Sequence, residues 1–230
     1  DWHLPELYGF LGEMGASTIA ARWSRYVIDV NRPPEDTNLY PGLDTTGLCP
    51  VDTFGREPRN YLLANGFIPP ELLAAYTSVV DQALEGVARC YERAGSQPVL
   101  RLHGDCHAGN VLWTGDGPHF VDFDDSRMGP AVQDLWMLMS GERPDMVRQM
   151  ADILAGYEDF ADFDPRQLYL VEALRTLRLI HYSAWLAMRW DDPAFPAAFP
   201  WFNTQRYWQD RILELREQVA LMDEPPLWPA

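Results

Sequence analysis

Apolar residues recur at helical spacing over most of the second half of the chain. Between Pro69-Pro70-Glu71, a helix start, and Gly95-Ser96, a stop, the residues Leu72, Leu73, Tyr76, Val79, Val80, Ala83, Leu84, Val87 and Tyr91 form one apolar face. They predict a helix from 70 to about 94. Further helices are predicted over 132–140, behind Gly129-Pro130, over 144–160, over 166–188 behind an Asp164-Pro165 cap, and over 204–222. The 166–188 stretch is apolar on nearly every face, which marks a central, buried helix. Residues 191–202, rich in proline and aromatics, read as loop. At the other end, Leu4, Leu7, Tyr8, Leu11 and Met14 predict an amphipathic helix over 3–15. Strands are expected at 17–21 and 26–30, and 31–57 reads as loop from its Pro, Gly, Asp and Thr content.

The middle of the chain breaks this helical pattern. Val99 to Leu102 is a short strand-like run, and 111–113 and 119–123 are two more. Thr114-Gly115-Asp116-Gly117-Pro118 between the last two is a hairpin turn by composition. A hairpin brings its ends together. Asp105 and Asn110, just before it, are thus expected near Asp122, just after it.

That grouping suits phosphoryl transfer. A carboxylate such as Asp105 can orient a hydroxyl or take its proton. The amide oxygen of Asn110 and the carboxylate of Asp122 are hard oxygen ligands of the kind Mg²⁺ prefers. The spacing Asp-x4-Asn is also that of the catalytic loop of protein kinases. Other readings of the same residues exist. Asp122, Asp124 and Asp125 also fit a solvated acidic turn, and His103 and His107 also fit zinc ligation with Asp105 or Cys106. Nothing in the sequence marks Cys106 as an activated nucleophile.

HGDCHAGN, followed by FVDFDD and GPAVQDLWM, resembles the aminoglycoside-phosphotransferase-like kinases, in particular their bacterial serine/threonine protein kinases. The likeness runs from about Arg59 to the end of the sequence, through WLAMRWDDPAFPAAFPWF and DEPPL. It implies Asp105 as catalytic base, Asn110 and Asp122 as Mg²⁺ ligands, and His103 and Asp134 as structural supports. Asp134 would start a buried helix and accept hydrogen bonds from the catalytic-loop backbone. His107 and Arg127 are the candidates for cofactor binding. The implied fold is α+β, mainly α: a kinase-like C-terminal lobe lacking its N-terminal lobe, preceded by a short α/β segment. Domains 1–58 and 59–230 follow from that division.

The first segment carries its own likeness. DWHLPELYGFLGEMGA, then SRYVIDVNRPPEDTNLYPGLDTTGLCPVDTF, is similar to an internal part of N-formylglutamate amidohydrolase, a zinc-dependent hydrolase. That family's metal-binding His and Glu motifs are absent here. Arg25, Asn31 and Arg32 match positions that contact the substrate carboxylate in the intact enzyme, while Asp1 and His3 would need further ligands to hold a metal. The whole therefore reads as a chimera.

Composition narrows the function. The 230 residues carry a formal charge of −16, which argues against nonspecific binding to nucleic acid or an anionic membrane. No run approaches the roughly 20 apolar residues of a membrane span. No signal peptide is visible, and three scattered cysteines suit a reducing, cytoplasmic setting. All 18 basic residues are arginine. Kinases of this architecture hold the nucleotide phosphates with a lysine of the N-terminal lobe. Mg²⁺ is thus the expected cofactor, while ATP lacks its usual contacts and full kinase activity is not expected. The acceptor would be a small-molecule phosphate compound or a protein serine or threonine. Two alternatives stand beside this: a metal-dependent phosphate-ester hydrolase, and a non-catalytic fold that self-associates as a homodimer.

Overall fold

The computed structural model describes residues 55–227. The helix and strands expected within 1–54, and Asp1, His3, Arg25, Asn31 and Arg32, lie outside the described residues. The chain divides into two compact units, Asp1–Thr45 and Thr46–Ala230, and the described residues all belong to the second.

The architecture is mainly helical, with two small antiparallel ladders. A short helix, α1 (Glu57–Ala64), precedes α2 (Pro70–Ala94), whose 25 residues run from Pro70 at its first turn to Gly95, a C-cap at φ 66. Tyr76, Val79, Val80, Ala83, Val87, Cys90 and Ala94 form its buried stripe at three- and four-residue intervals. Nothing in the apolar pattern announces α1. It is tied to α2 by a two-toothed ion pair, Arg59 to Asp81, at 2.6 and 3.0 Å. The central helix α5 (Val171–Met188) buries most of its circumference, from Val171 through Leu174, Leu177 and Ile180 to Ala187, and keeps one exposed edge at Arg178, Tyr182 and Met188. It packs with α2 and with α7 (Gln205–Asp223), where Trp208 meets Tyr76 edge-on at 5.4 Å. A second core gathers Trp136, Met137, Met146, Met150, Leu154 and Leu170 around α4 (Arg143–Glu158).

Several expected boundaries move for local reasons. The start of the 166–188 helix is instead a 3₁₀ segment, Pro165–Leu170. Gln167 there turns inward and its side-chain oxygen accepts from the Val132 amide at 3.0 Å. The 132–140 helix is a single α turn, α3 (Val132–Leu135), followed by a 3₁₀ turn over Trp136–Leu138. The 191–202 loop contains a short helix, α6 (Ala194–Ala198), nucleated behind Pro193. Among the described residues no helix is long and apolar enough to cross a membrane.

The ladders are nested. β1 (Leu100–Leu102) pairs antiparallel with β4 (Arg127–Gly129), Leu102 opposite Arg127. Between them lies the hairpin of β2 (Val111–Thr114) and β3 (Gly117–Phe120), Val111 opposite Phe120. The turn is shorter than its composition suggests: Thr114 pairs with Gly117, leaving only Gly115 and Asp116 in the loop. The strand expected at 119–123 stops at Phe120, because Asp122 enters the left-handed region at φ 62 and a 3₁₀ turn, Phe123–Asp125, follows. The outer ladder closes the chain on itself and the inner hairpin does so again. The two connecting segments, 103–110 and 121–126, are thereby forced side by side.

Candidate active site

Four residues in those segments form a closed circuit of hydrogen bonds. The Asn110 side-chain amide donates to the Asp105 carbonyl at 2.9 Å. The Val121 amide donates to the Asn110 carbonyl at 3.0 Å. His103 Nε2 donates to the Val121 carbonyl at 2.8 Å, and its Nδ1 accepts from the Asp105 amide at 3.3 Å. These partners fix the tautomer of His103 and use both ring nitrogens. Its ring also lies on Phe123, centroids 4.5 Å apart. His103 is therefore not available to a metal. Among the described residues no three His, Cys, Asp or Glu side chains gather into a metal set, so the zinc alternative has no ligand cluster behind it.

Beneath the loop sits Asp134, on α3. One carboxylate oxygen accepts from the His103 amide at 2.7 Å and the other from the Gly104 amide at 2.9 Å. Burial raises its pKa, against the opposing pull of those two amides, of His103 and of Arg127. Gly104 itself sits at φ 88, and a Cβ there would lie 2.0 Å from the Asp125 carbonyl oxygen. Only glycine lets the loop backbone meet the 123–125 turn so closely.

The upper face holds the polar groups. Asp105 Oδ1 pairs with Arg178 Nη1 at 2.7 Å, while Oδ2 faces His107 Nε2 at 3.5 Å. His107 caps the 3₁₀ turn Ala108–Asn110, accepting from the Gly109 amide at Nδ1. Asn110 Oδ1 accepts no hydrogen bond among the described residues, and neither does the exposed Asp122 carboxylate. Arg127 lies mostly buried, its Nε donating to the Asp125 carbonyl at 2.9 Å; burial lowers its pKa. Cys106 is buried beside Asp134 and Asp105, and burial first, then those charges, push its thiol up to about 11. It is an inert neighbour.

Arg175 and Arg178 lie one turn apart on the central helix, and the structure gives them different partners. Arg175 stays in the lobe, on Glu172 at 3.2 Å and over the Trp136 ring. Arg178 reaches the site through Asp105. A charged residue breaking an otherwise all-round apolar helix was the available signal; which loop it meets depends on packing from 73 residues away.

The family model described as "Phosphotransferase enzyme family" matches residues 47–171, and that of N-formylglutamate amidohydrolase matches residues 1–66. Stress response kinase A of Salmonella choleraesuis is 46% identical over 171 residues, covering 74% of this chain and 51% of its own length. Serine/threonine protein kinase RdoA of Salmonella typhimurium and stress response kinase A of Escherichia coli K12 show the same identity and coverage. The chain thus spans about half the length of the curated relatives it matches. A solved choline/ethanolamine kinase family protein from Mesorhizobium loti shares the fold, with a TM-score of 0.52 and 21% identity over 76% of this chain and 55% of that one.

Proposed function

The chain belongs to the phosphotransferase enzyme family, and on that footing we propose that it carries the acceptor and metal side of a serine/threonine phosphotransfer site. The observation that carries this reading is the closed circuit through His103, Asp105, Asn110 and Val121. It fixes the backbone of Asp105, whose carboxylate Arg178 holds for the acceptor hydroxyl. It also presents, on the same loop and at the hairpin base, two oxygen donors that accept no hydrogen bond among the described residues.

Asn110 Oδ1 and the Asp122 carboxylate fit Mg²⁺ by their chemistry: hard oxygens, few in number, leaving positions for water and phosphate. Held there by Asn110 and Asp122, Mg²⁺ would offset the charge that develops on the transferring phosphate. Asp105 acts on the acceptor. Its Oδ1 is held by Arg178, so Oδ2, which faces His107 Nε2 at 3.5 Å, is the atom that takes the hydroxyl proton. The hydroxyl oxygen bonds to the γ-phosphorus as the bond to the departing ADP breaks. Asp134 and His103 keep the loop in place beneath. The sequence contains no lysine, so the nucleotide phosphates lack the ammonium such sites employ, and turnover by this chain is expected to be slow.

The test is transfer of labelled phosphate from Mg²⁺–ATP to a single-serine peptide, with calorimetry of Mg²⁺–ATP in parallel. Slow transfer that Asp105→Ala removes is the expected result. Transfer that survives Asp105→Ala overturns the reading, as does the lack of both transfer and nucleotide binding.

A further inference from the structure

A cavity of about 100 Å³ opens immediately beside the candidate base, between the β1–β4 ladder and α5. Gly104, the neighbour of Asp105, forms part of its wall, and so does Arg178, which holds Asp105. From this cavity we infer that the site reads an acidic side chain flanking the phosphoacceptor serine or threonine of a protein substrate. The inference rests on the phosphotransfer reading and narrows its acceptor.

Three observations lead there. The first is charge. The whole chain carries −16, yet two guanidiniums, Arg127 and Arg178, line this cavity and balance Asp125 in its wall and Asp105 at its mouth, so that the spot is not itself acidic. Electrostatic complementarity of this kind selects partners. The second is the state of Arg178. Its guanidinium meets Asp105 through Nη1 alone, and its side chain is 46% exposed. An arginine fork has further N–H donors in fixed geometry, suited to a second carboxylate. The third is size. At about 100 Å³ the cavity lies well below the roughly 300–1,000 Å³ of sites that enclose a whole small ligand. A carboxylate on one or two methylenes matches it, and Leu102, Leu174 and Leu177 supply apolar wall for those methylenes. The remainder of such an acceptor stays outside, as a peptide chain does. A serine on Asp105 Oδ2 then places a neighbouring Glu or Asp within reach of Arg178, one residue from the cavity mouth at Gly104.

The test measures binding, not turnover. Eight single-serine decapeptides carry Glu or Gln at positions −2, −1, +1 or +2, and scrambled versions move the Glu out of reach. Affinities are taken by fluorescence anisotropy at about 0.15 M salt, where the Debye length of roughly 8 Å screens the overall acidic charge. At one position at least, Glu should bind about tenfold tighter than Gln and than its scrambled counterpart, as a charge-assisted pair implies. Arg178→Gln, checked by circular dichroism for an unchanged fold, should erase the preference. A preference below fivefold at every position overturns the inference, and so does one that survives Arg178→Gln or appears equally with scrambled peptides. Absence of any preference in the parent chain, with Asp105-dependent transfer intact, sinks the cavity reading alone. A firm preference without transfer leaves the acceptor site standing and sinks the phosphotransfer reading.

Discussion

The two ladders of this lobe are built alike and supported unlike. The β1–β4 ladder and the loop above it are stitched from below: Asp134 holds two backbone amides, His103 spans two segments, and Gly104 lies against the 123–125 turn. Among the described residues the β2–β3 hairpin has only its own rungs. Leu112, Trp113 and Phe120 on it are 51%, 77% and 46% exposed. A two-stranded ribbon without a covered face is marginal by itself. Asp105 thus borrows its rigidity from the buried helices, whereas the hairpin contributes position through its foot, at Asn110 and Val121. Substitutions should hurt in the first region and pass almost unnoticed in the second.

The largest effect is expected at Gly104. Gly104→Ala puts a methyl group against a backbone oxygen at a left-handed position, so loop or turn must move. A loss of about 3–5 kcal/mol in urea unfolding is expected. An unfolding midpoint close to the parent's would mean that the loop has slack the hydrogen bonds do not suggest. Asp134→Ala comes next. It leaves two loop amides without their acceptor, at a cost of about 2–3 kcal/mol. Its pH signature has a definite sign. Burial raises the folded pKa of Asp134 above the ordinary 3.8, so the native state holds this proton more tightly than the unfolded chain does. That contribution is complete below 3.8 and is lost as pH climbs through the higher folded value. The gap between parent and Asp134→Ala should therefore be widest at the acid end of a series of urea midpoints.

How far the sequence reveals this contrast depends on the range of the interaction. The long helix Pro70–Ala94 is legible to within a residue, because proline, stripe and glycine are all local. The mainly helical α+β class and the family likeness follow from equally local signals. The grouping of Asp105, Asn110 and Asp122 around a hairpin also rests on short spacing. What local pattern does not carry is support from afar. β4 is three residues long and pairs across 103–126, so no periodicity could announce it. The Arg178–Asp105 pair joins a helix to a loop that only packing brings together. Asp122 reads as strand from its apolar flanks, but its φ of 62 is dictated by the turn that follows.

Asp122 sharpens the contrast from the strained side. A non-glycine residue at positive φ stores backbone strain, and such strain collects at functional positions. Asp122→Gly should cost no stability and raise it by up to about 1 kcal/mol, the relief being partly offset by the freedom of glycine in the unfolded chain. Mg²⁺ binding, followed by Mn²⁺ relaxation or calorimetry, should weaken at the same time. A variant that loses stability would show that the Asp122 carboxylate holds the hairpin foot and is not reserved for a ligand.

The smallest effect belongs to Trp113, the most exposed of the hairpin's large apolar residues. Trp113 pairs with Pro118 across the ladder, and its indole covers little of the lobe at 77% exposure. Its removal takes away almost no burial, so the ordinary surface range of about ±0.5 kcal/mol applies. Trp113→Ser should leave the urea midpoint of the described lobe within that range. It should also leave the Asp105-dependent reactions where they are, because the circuit that sets Asp105 enters the hairpin only at Asn110 and Val121. A drop of about 1.5 kcal/mol or more would mean that something packs on this face in solution. The hairpin would then be a covered surface, and the difference in support between the two ladders would shrink accordingly.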